Sequence, residues 1–248
     1  MPTIAIGDIH GFLDPLTDLL SQLRVEVSED DTVVFLGDYI DRGPDSKGCI
    51  DAILEFEEDI VGTVVCLRGN HEDWLLQTLG DFGRHSWLIG MDGYDTIRSY
   101  SPDAAQIIRD AQKAAGLSVY MDRVALPYGV FVDSMPKSHR TFFHKLLPCY
   151  RGADGICVHG GLDVSVARVE DQTLHACMWG VDGFPEDYRG DEVVVYGHHN
   201  NAVLDRDGWP GPCIIGSTIG LDTISHGVLT AMRLSDRRLF QSARHGVR

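Results

Sequence analysis

Thr3-Ile4-Ala5-Ile6-Gly7-Asp8-Ile9-His10-Gly11 is a short apolar run closed abruptly by glycine, a carboxylate and an imidazole. A continuous apolar run of four or five residues reads as a strand buried on both faces. The glycine lets the chain turn sharply at the strand end. The same pattern recurs along the sequence. Thr32–Leu36 ends in Gly37-Asp38, Gly62–Leu67 ends in Arg68-Gly69-Asn70-His71-Glu72, and Gly155–Val158 ends in His159-Gly160-Gly161. Glu192–Tyr196 ends in Gly197-His198-His199.

Between the early runs lie helical patterns. Leu16, Leu19, Leu20 and Leu23 share one face of a helix over Pro15–Leu23, and Ile50, Ile53 and Leu54 face inward from Ser46–Glu57. Alternating buried strands and helices predict an α/β layered fold. The middle of the chain, about 81–150, is richer in polar residues, with helical patterns at Asp103–Ala115 and Ser138–Leu147. It reads as a cap-like insertion over the sheet. Further strands are expected at Cys213–Ile215 and Gly227–Leu234, and the arginine-rich tail about 237–248 as a frayed, solvated end. With no repeat or linker in view, the 248 residues read as a single domain.

Five strand-like runs thus each end in glycine beside a possible metal ligand. In an α/β sheet, residues just past the strand ends converge on the rim where sites form. Two Asp, one Asn and three His (Asp8, Asp38, Asn70, His10, His159, His198) can hold two divalent ions with one carboxylate shared. Oxygen and imidazole donors without sulfur suit Mn²⁺, Fe or Zn²⁺, with Mn²⁺ expected first.

Composition narrows the partners. Twenty-one Lys and Arg against 37 Asp and Glu give a net charge of −16, which argues against broad binding to nucleic acid or an anionic membrane. A small phosphorylated ligand stays compatible, because bound metal reverses the local field. No apolar run approaches the ~20 residues that span a bilayer. The chain passes from Met1-Pro2-Thr3 straight into a strand pattern, with no secretory leader in view. The six cysteines form no CxxC pair and read as reduced thiols, so a cytoplasmic location is expected.

Gly7-Asp8-Ile9-His10-Gly11, Gly37-Asp38-Tyr39-Ile40-Asp41-Arg42-Gly43 and Gly69-Asn70-His71-Glu72 resemble, in order and spacing, the three signature motifs of the phosphoprotein phosphatase family, bacterial type, among the calcineurin-like metallophosphoesterases. His159-Gly160-Gly161-Leu162 and Gly197-His198 resemble its remaining metal histidines, and Leu221-Asp222-Thr223 and Leu229-Thr230-Ala231 its closing strands. The likeness runs from about Thr3 to Leu234.

The resemblance implies a four-layer sandwich of two mixed β-sheets flanked by helices, with the site at one sheet rim. It implies that Asp8 and His10 hold a first metal, Asp38 bridges, and Asn70, His159 and His198 hold the second. His71, paired with Asp41, would be the acid at the leaving group, and Arg42 would grip the phosphate. The implied activity is phosphomonoester hydrolysis of the serine/threonine protein phosphatase type, by direct attack of a water activated between the metals. A dinucleoside polyphosphate hydrolase, such as one cutting diadenosine tetraphosphate, is the alternative. A nucleotide enzyme should bring aromatics and arginines of 81–150 to the metals, and a protein phosphatase should leave an open groove. A metal-binding module without activity is disfavoured by the intact Asp41, Arg42 and His71. The substrate is therefore a phosphorylated protein, a small phosphoester or a nucleotide, and the sequence gives no oligomeric state.

One position departs from the pattern. Many bacterial members carry an arginine two residues after a tryptophan, before the last metal histidine. Here Val181 follows Trp179-Gly180. Arg189, on the loop between Trp179 and His198, is the candidate for a second phosphate arginine. Of the other candidates, His199 reads as lining, Arg68 as an internal salt bridge, and Trp74, Trp87 and Trp179 as core or cap packing.

Overall fold

The computed structural model describes residues 2–247. The chain begins β1 (Thr3–Ile6), α1 (Leu13–Leu23), β2 (Thr32–Phe35), α2 (Ser46–Asp59), β3 (Thr63–Cys66) and α3 (Asn70–Gly80). Six helices follow: α4 (Ser86–Gly90), α5 (Gly93–Tyr100), α6 (Pro102–Ala115), α7 (Ser118–Met121), α8 (Gly129–Ser134) and α9 (Lys137–Lys145). The remainder is β4 (Cys149–Arg151), β5 (Ile156–Val158), α10 (Leu174–Trp179), β6 (Val194–Tyr196), β7 (Val203–Leu204), β8 (Pro210–Gly211), β9 (Cys213–Ile215), β10 (Thr218–Gly220), β11 (Thr230–Arg233) and β12 (Arg238–Gln241).

Two mixed five-stranded sheets result, in the orders β12-β11-β1-β2-β3 and β4-β5-β6-β10-β9. Three successive strands of each sheet, β1-β2-β3 and β5-β6-β10, are parallel, so their C-terminal ends emerge on one rim. Alternation along each strand builds the layers. Ile4, Ile6, Val33 and Phe35 face a core shared with α1 and α2, while Ala5, Val34 and Leu36 face the other way. There they meet Cys157, Val195 and Ile219 of the second sheet. Ile156, Val158, Val194 and Tyr196 face outward onto Leu162 and Cys177. Helix, sheet, sheet and helix-plus-loop therefore stack in four layers, as the resemblance implied.

The insertion packs into the core on the helical side. Trp87, Ile97, Ile108, Phe131 and Phe143 join the same apolar cluster as Ile4 and Leu16. Local rules set these helices. Asp45 caps α2 by accepting from Gly48 N at 2.8 Å, and Ser101 caps α6 from Ala104 N at 3.1 Å with Pro102 in its first turn. All six cysteines are free thiols. Among the described residues no helix is long and apolar enough to cross a membrane.

The tail departs from the sequence expectation. Arg238–Gln241 is not frayed but forms β12, antiparallel to β11, with Phe240 buried. Its single inward aromatic sits between the exposed Leu239 and the half-buried Gln241, so the four-residue pattern was too short to stand out. Gly227 likewise is not strand. It closes a one-turn 3-10 helix at Ile224–His226 with φ 76°, and the strand begins only at Thr230.

Candidate active site

All five strand ends deliver their polar residues to the shared rim. Glycine makes the approach possible at two of them. A Cβ on Gly69 would run into Asp38 Oδ1, and one on Gly197 into Asp8 Oδ1. Among the described residues ten non-glycines have positive φ, and seven of them lie in these loops: His10, Asp38, Asp41, Arg42, His198, His199 and Asn200. Such conformations cost about 1–3 kcal/mol each and persist where surroundings over-determine them. Here the loops brace one another. His10 N and Ile9 N both donate to Asp38 O, at 2.8 and 3.0 Å, and His198 N donates to Asp8 Oδ2 at 3.0 Å.

Asp38 sits at the centre. Its carboxylate lies 3.4 Å from His10 Nε2, 3.4 Å from His159 Nε2 and 3.8 Å from His71 Nε2. One end of the Asn70 amide is 2.9 Å from His159 Nε2, 3.1 Å from Asp38 Oδ2 and 3.3 Å from His198 Nδ1. Asp8 approaches His10 at 3.9 Å and His159 at 4.0 Å. Backbone carbonyls set the tautomers. His10 Nδ1 donates to Ile40 O at 3.2 Å and His159 Nδ1 to Leu36 O at 3.1 Å, which leaves both Nε2 lone pairs facing Asp38.

The electrostatics describe a pocket short of positive charge. Burial, then the Asp222 and Asp38 carboxylates, push the Asp8 carboxyl well above its usual range. Burial opposes ionisation of Asp38 too, but His159, His71 and His10 outweigh it and hold Asp38 well below. Burial holds His10 neutral, and burial with His159 pushes His198 down to about 3. Burial lowers the His159 pKa, but Asp38 outweighs it and holds it raised. Imidazole, carboxylate and amide donors facing one another are a set that suits divalent cations. His10, Asp38 and His71 offer ligand atoms within 4.8 Å of one another, as do Asp38, His159 and His198.

His71 stands apart in one respect. Its Nδ1 is 2.7 Å from Asp41 Oδ2, while its Nε2 is buried with no partner and points at the donor cluster. Burial lowers its pKa, but Asp38 and the Asp41 hydrogen bond outweigh that and hold it raised. A protonated Nε2 donates and cannot ligate, so the geometry suits an acid. Arg42 lays its guanidinium on the same cluster, Nη1 2.7 Å from His10 Nε2.

Three partners were not legible as functional. Trp87 Nε1 donates to Asp41 Oδ2 at 2.9 Å and Thr96 Oγ1 to Asp41 Oδ1 at 2.5 Å, so the insertion fixes the dyad carboxylate. Asp222 is buried behind Asp8, accepts from Asn200 N at 2.6 Å, and keeps Oδ1 without a partner. Its signal was present: Asp222 follows the strand-like Thr218–Leu221 just as Asp8 follows β1.

Glu72 is fully buried, and Oε2 accepts from Asp38 N and Gly69 N (2.9 and 3.1 Å) while Oε1 accepts from Tyr39 N and Ile40 N (2.9 and 3.3 Å). Glu72→Gln turns an amide NH₂ toward two of these four donors. Leaving them unpaired should cost about 3 kcal/mol and lower Tm by roughly 6–12 °C, which calorimetry can read. An unchanged Tm would contradict this tethering.

Arg189 does not join the cluster. Its side chain is 75% exposed and folds back onto Glu186 O and Tyr188 O at 2.5 and 2.9 Å, with Asp187 3.9 Å away. The turn after Pro185 carries it to the outer face of the second sheet, beside Asp163 and Glu192, instead of to the rim. Arg189→Ala should leave kcat and KM unchanged in steady-state assays. A KM rise of tenfold or about 1.4 kcal/mol would restore it to the phosphate. Arg68 does form an internal ion pair, 3.8 Å from Asp73. Trp179 packs against Trp74 at 4.9 Å and edge-on to His198 at 6.3 Å, and the His199 ring lies tilted by 45° against His198 at 3.6 Å between ring centroids.

Comparison with known proteins agrees with the geometry. A family model described as calcineurin-like phosphoesterase matches residues 1–214. Serine/threonine-protein phosphatase 1 of Salmonella typhimurium (strain LT2) is 37% identical over 84 residues, 34% of this chain and 36% of that one. The symmetrical bis(5'-nucleosyl)-tetraphosphatase of Legionella pneumophila (strain Lens) is 40% identical over 87 residues, 35% of this chain and 29% of that one. The chain thus aligns with about a third of the length of these relatives. A solved protein proposed to be a diadenosine tetraphosphatase superposes with a TM-score of 0.61 at 20% identity, over 97% of this chain and 92% of that chain. At that identity the likeness is one of fold.

Proposed function

Because the chain belongs to the calcineurin-like phosphoesterase family, we propose that it hydrolyses phosphate monoesters at this rim, as a serine/threonine protein phosphatase does. The observation that carries the reading is the buried, unpartnered Nε2 of His71, held by Asp41 and aimed at the cluster of Asp8, His10, Asp38, Asn70, His159 and His198. These residues would hold two divalent ions, with Mn²⁺ the first choice and Fe or Zn²⁺ also suited, and the ions would supply Lewis acidity and lower the pKa of a water. The chain's own groups do the rest. Arg42 offers two parallel N–H donors to phosphoryl oxygens. His71 Nε2 gives its proton to the departing alkoxide. Asp41 keeps that imidazole oriented and cationic, and Trp87 and Thr96 keep Asp41 in place. No covalent phosphoenzyme is needed.

The insertion favours an ester over a nucleotide. Four of its five arginines are engaged locally: Arg84 with Gln77, Arg98 with Asp95, Arg109 over the Tyr94 ring and Arg123 with Asp81, while the fifth, Arg140, is exposed on α9. One observation supports a second reading. A cleft of about 560 Å³ lined by Trp74, His175 and Trp179 opens beside His198, and its aromatic wall suits a nucleobase of a dinucleoside polyphosphate. Phosphoserine and phosphothreonine peptides, diadenosine tetraphosphate and sugar phosphates, each assayed with Mn²⁺, separate the readings. Highest kcat/KM on phosphopeptides is the expected result. Preference for diadenosine tetraphosphate, lost in Trp179→Ala, would establish the second reading. We take the chain to act as one cytoplasmic domain.

A further inference from the structure

Sheet one stops at β3, yet the space beyond it is shaped for one more strand. Thr63 N and Leu67 N bond back to Asp31 O and Phe35 O of the β2 side, so by alternation the N–H and C=O of Val64 and the N–H of Cys66 face outward. Just above them the chain leaving α9 begins what a sixth strand would continue. Leu147 N donates to Cys66 O at 3.0 Å and Leu147 O accepts from Arg68 N at 2.7 Å; Leu147 and Leu67 form a single parallel bridge. Below that bridge a groove of about 630 Å³ runs along Val64–Cys66, with Leu54, Phe142 and Leu146 for its apolar surface. Val64 and Cys66 are only partly covered by the helical-side core.

The wall of this groove is basic in a strongly acidic protein. Helix α9 carries Lys137, Arg140 and Lys145 and no Asp or Glu, in a chain of net charge −16. His139 of this helix pairs with Asp51, but among the described residues Lys137, Arg140 and Lys145 pair with no carboxylate. Lys137 and Lys145 line the groove, faced by the one acidic lining residue, Glu57.

We propose that this slot docks an extended segment of a partner protein, with alternating apolar side chains and flanking carboxylates, as an added strand on β3. Backbone pairing to an exposed edge supplies affinity, alternate side chains supply selectivity, and the lysines choose an acidic partner. The slot is separate from the rim, and the proposal stands whether or not the chain is a phosphatase.

The test uses two fluorescein-labelled peptides, Asp-Val-Thr-Val-Thr-Val-Asp and Lys-Val-Thr-Val-Thr-Val-Lys, titrated against the full chain. The symmetrical ends bring a charge to α9 in either strand direction. The acidic peptide should bind at least about tenfold more tightly. The double variant Lys137→Glu/Lys145→Glu should reverse that order, and hydrogen exchange of residues 63–66 should slow with the acidic peptide bound to the wild-type chain. Val64→Pro, which removes an outward N–H and no ladder bond, should weaken binding in a folded chain. Equal affinities for the two peptides, or none below about 1 mM, would overturn the proposal. So would a wild-type dimer in sedimentation that the charge-reversed variant lacks, since the slot would then serve a second copy.

Discussion

Asp38→Asn should eliminate nearly all turnover and lower the metal content together. Among the described residues Asp38 is the one carboxylate within 4 Å of three imidazoles, His10, His71 and His159, and it also touches the Asn70 amide. The amide substitute removes a full negative charge from that centre and points an NH₂ group at one of the imidazole nitrogens. Neither change leaves a shared ligand for two cations. Metal ions at phosphoryl oxygens supply several kcal/mol of charge stabilisation, and each 1.36 kcal/mol is tenfold in rate. A drop of about 10⁴-fold in kcat/KM corresponds to about 5.5 kcal/mol and is the expected scale. Plasma emission analysis of the purified variant should find one ion or fewer per chain against two in the wild type. Two ions retained with near wild-type turnover would remove Asp38 from the bridging role. Chelation of the wild type should reproduce the loss, and added Mn²⁺ should reverse it.

Why this centre could be read from sequence, and other parts could not, follows from the range of the interactions. Asp8, Asp38, Asn70, His159 and His198 each lie within three residues of the end of an apolar run, and parallel strands send such positions to one rim whatever lies between them. Their convergence needs only the strand order. Trp87 and Thr96 reach Asp41 from 46 and 55 residues away, on helices whose placement depends on how the insertion packs. An indole in an apolar stretch reads as core, and Trp87 is core as well as donor. Glu72 carried a local signal, at the third position of α3 after Gly69, yet a capping pattern does not announce that its other oxygen holds the Tyr39 loop. Arg189 failed for the converse reason. Lying between two site segments in sequence says nothing about which face of the sheet a turn selects, and this loop follows the outer face.

His71→Asn should separate the proton from the metals. Asn cannot donate as an imidazolium does, but it is polar and smaller, so the cluster of Asp8, His10, Asp38, Asn70, His159 and His198 should stay loaded. For a substrate whose leaving group is an alkoxide, such as a phosphoserine peptide, kcat should fall by roughly 10²–10⁴-fold, the range of general acid catalysis. For nitrophenyl phosphate, whose leaving group needs no proton, the loss should be much smaller. Equal losses on both substrates would instead make His71 a ligand, a role its place beside His10 and Asp38 permits. The pH profile gives an independent reading. Asp38 and Asp41 hold the His71 imidazolium above its ordinary pKa against the effect of burial, so the acid stays protonated as pH rises past the ordinary histidine value, and its loss shows as an alkaline limb of kcat. Asp41→Asn removes one of those two carboxylates and the 2.7 Å bond to Nδ1, so the alkaline limb of kcat on the phosphoserine peptide should move to lower pH. The limb for nitrophenyl phosphate should stay where it is. A limb that moves equally for both substrates would mean that Asp41 acts on the nucleophile's side of the reaction, and the acid would have to be sought elsewhere.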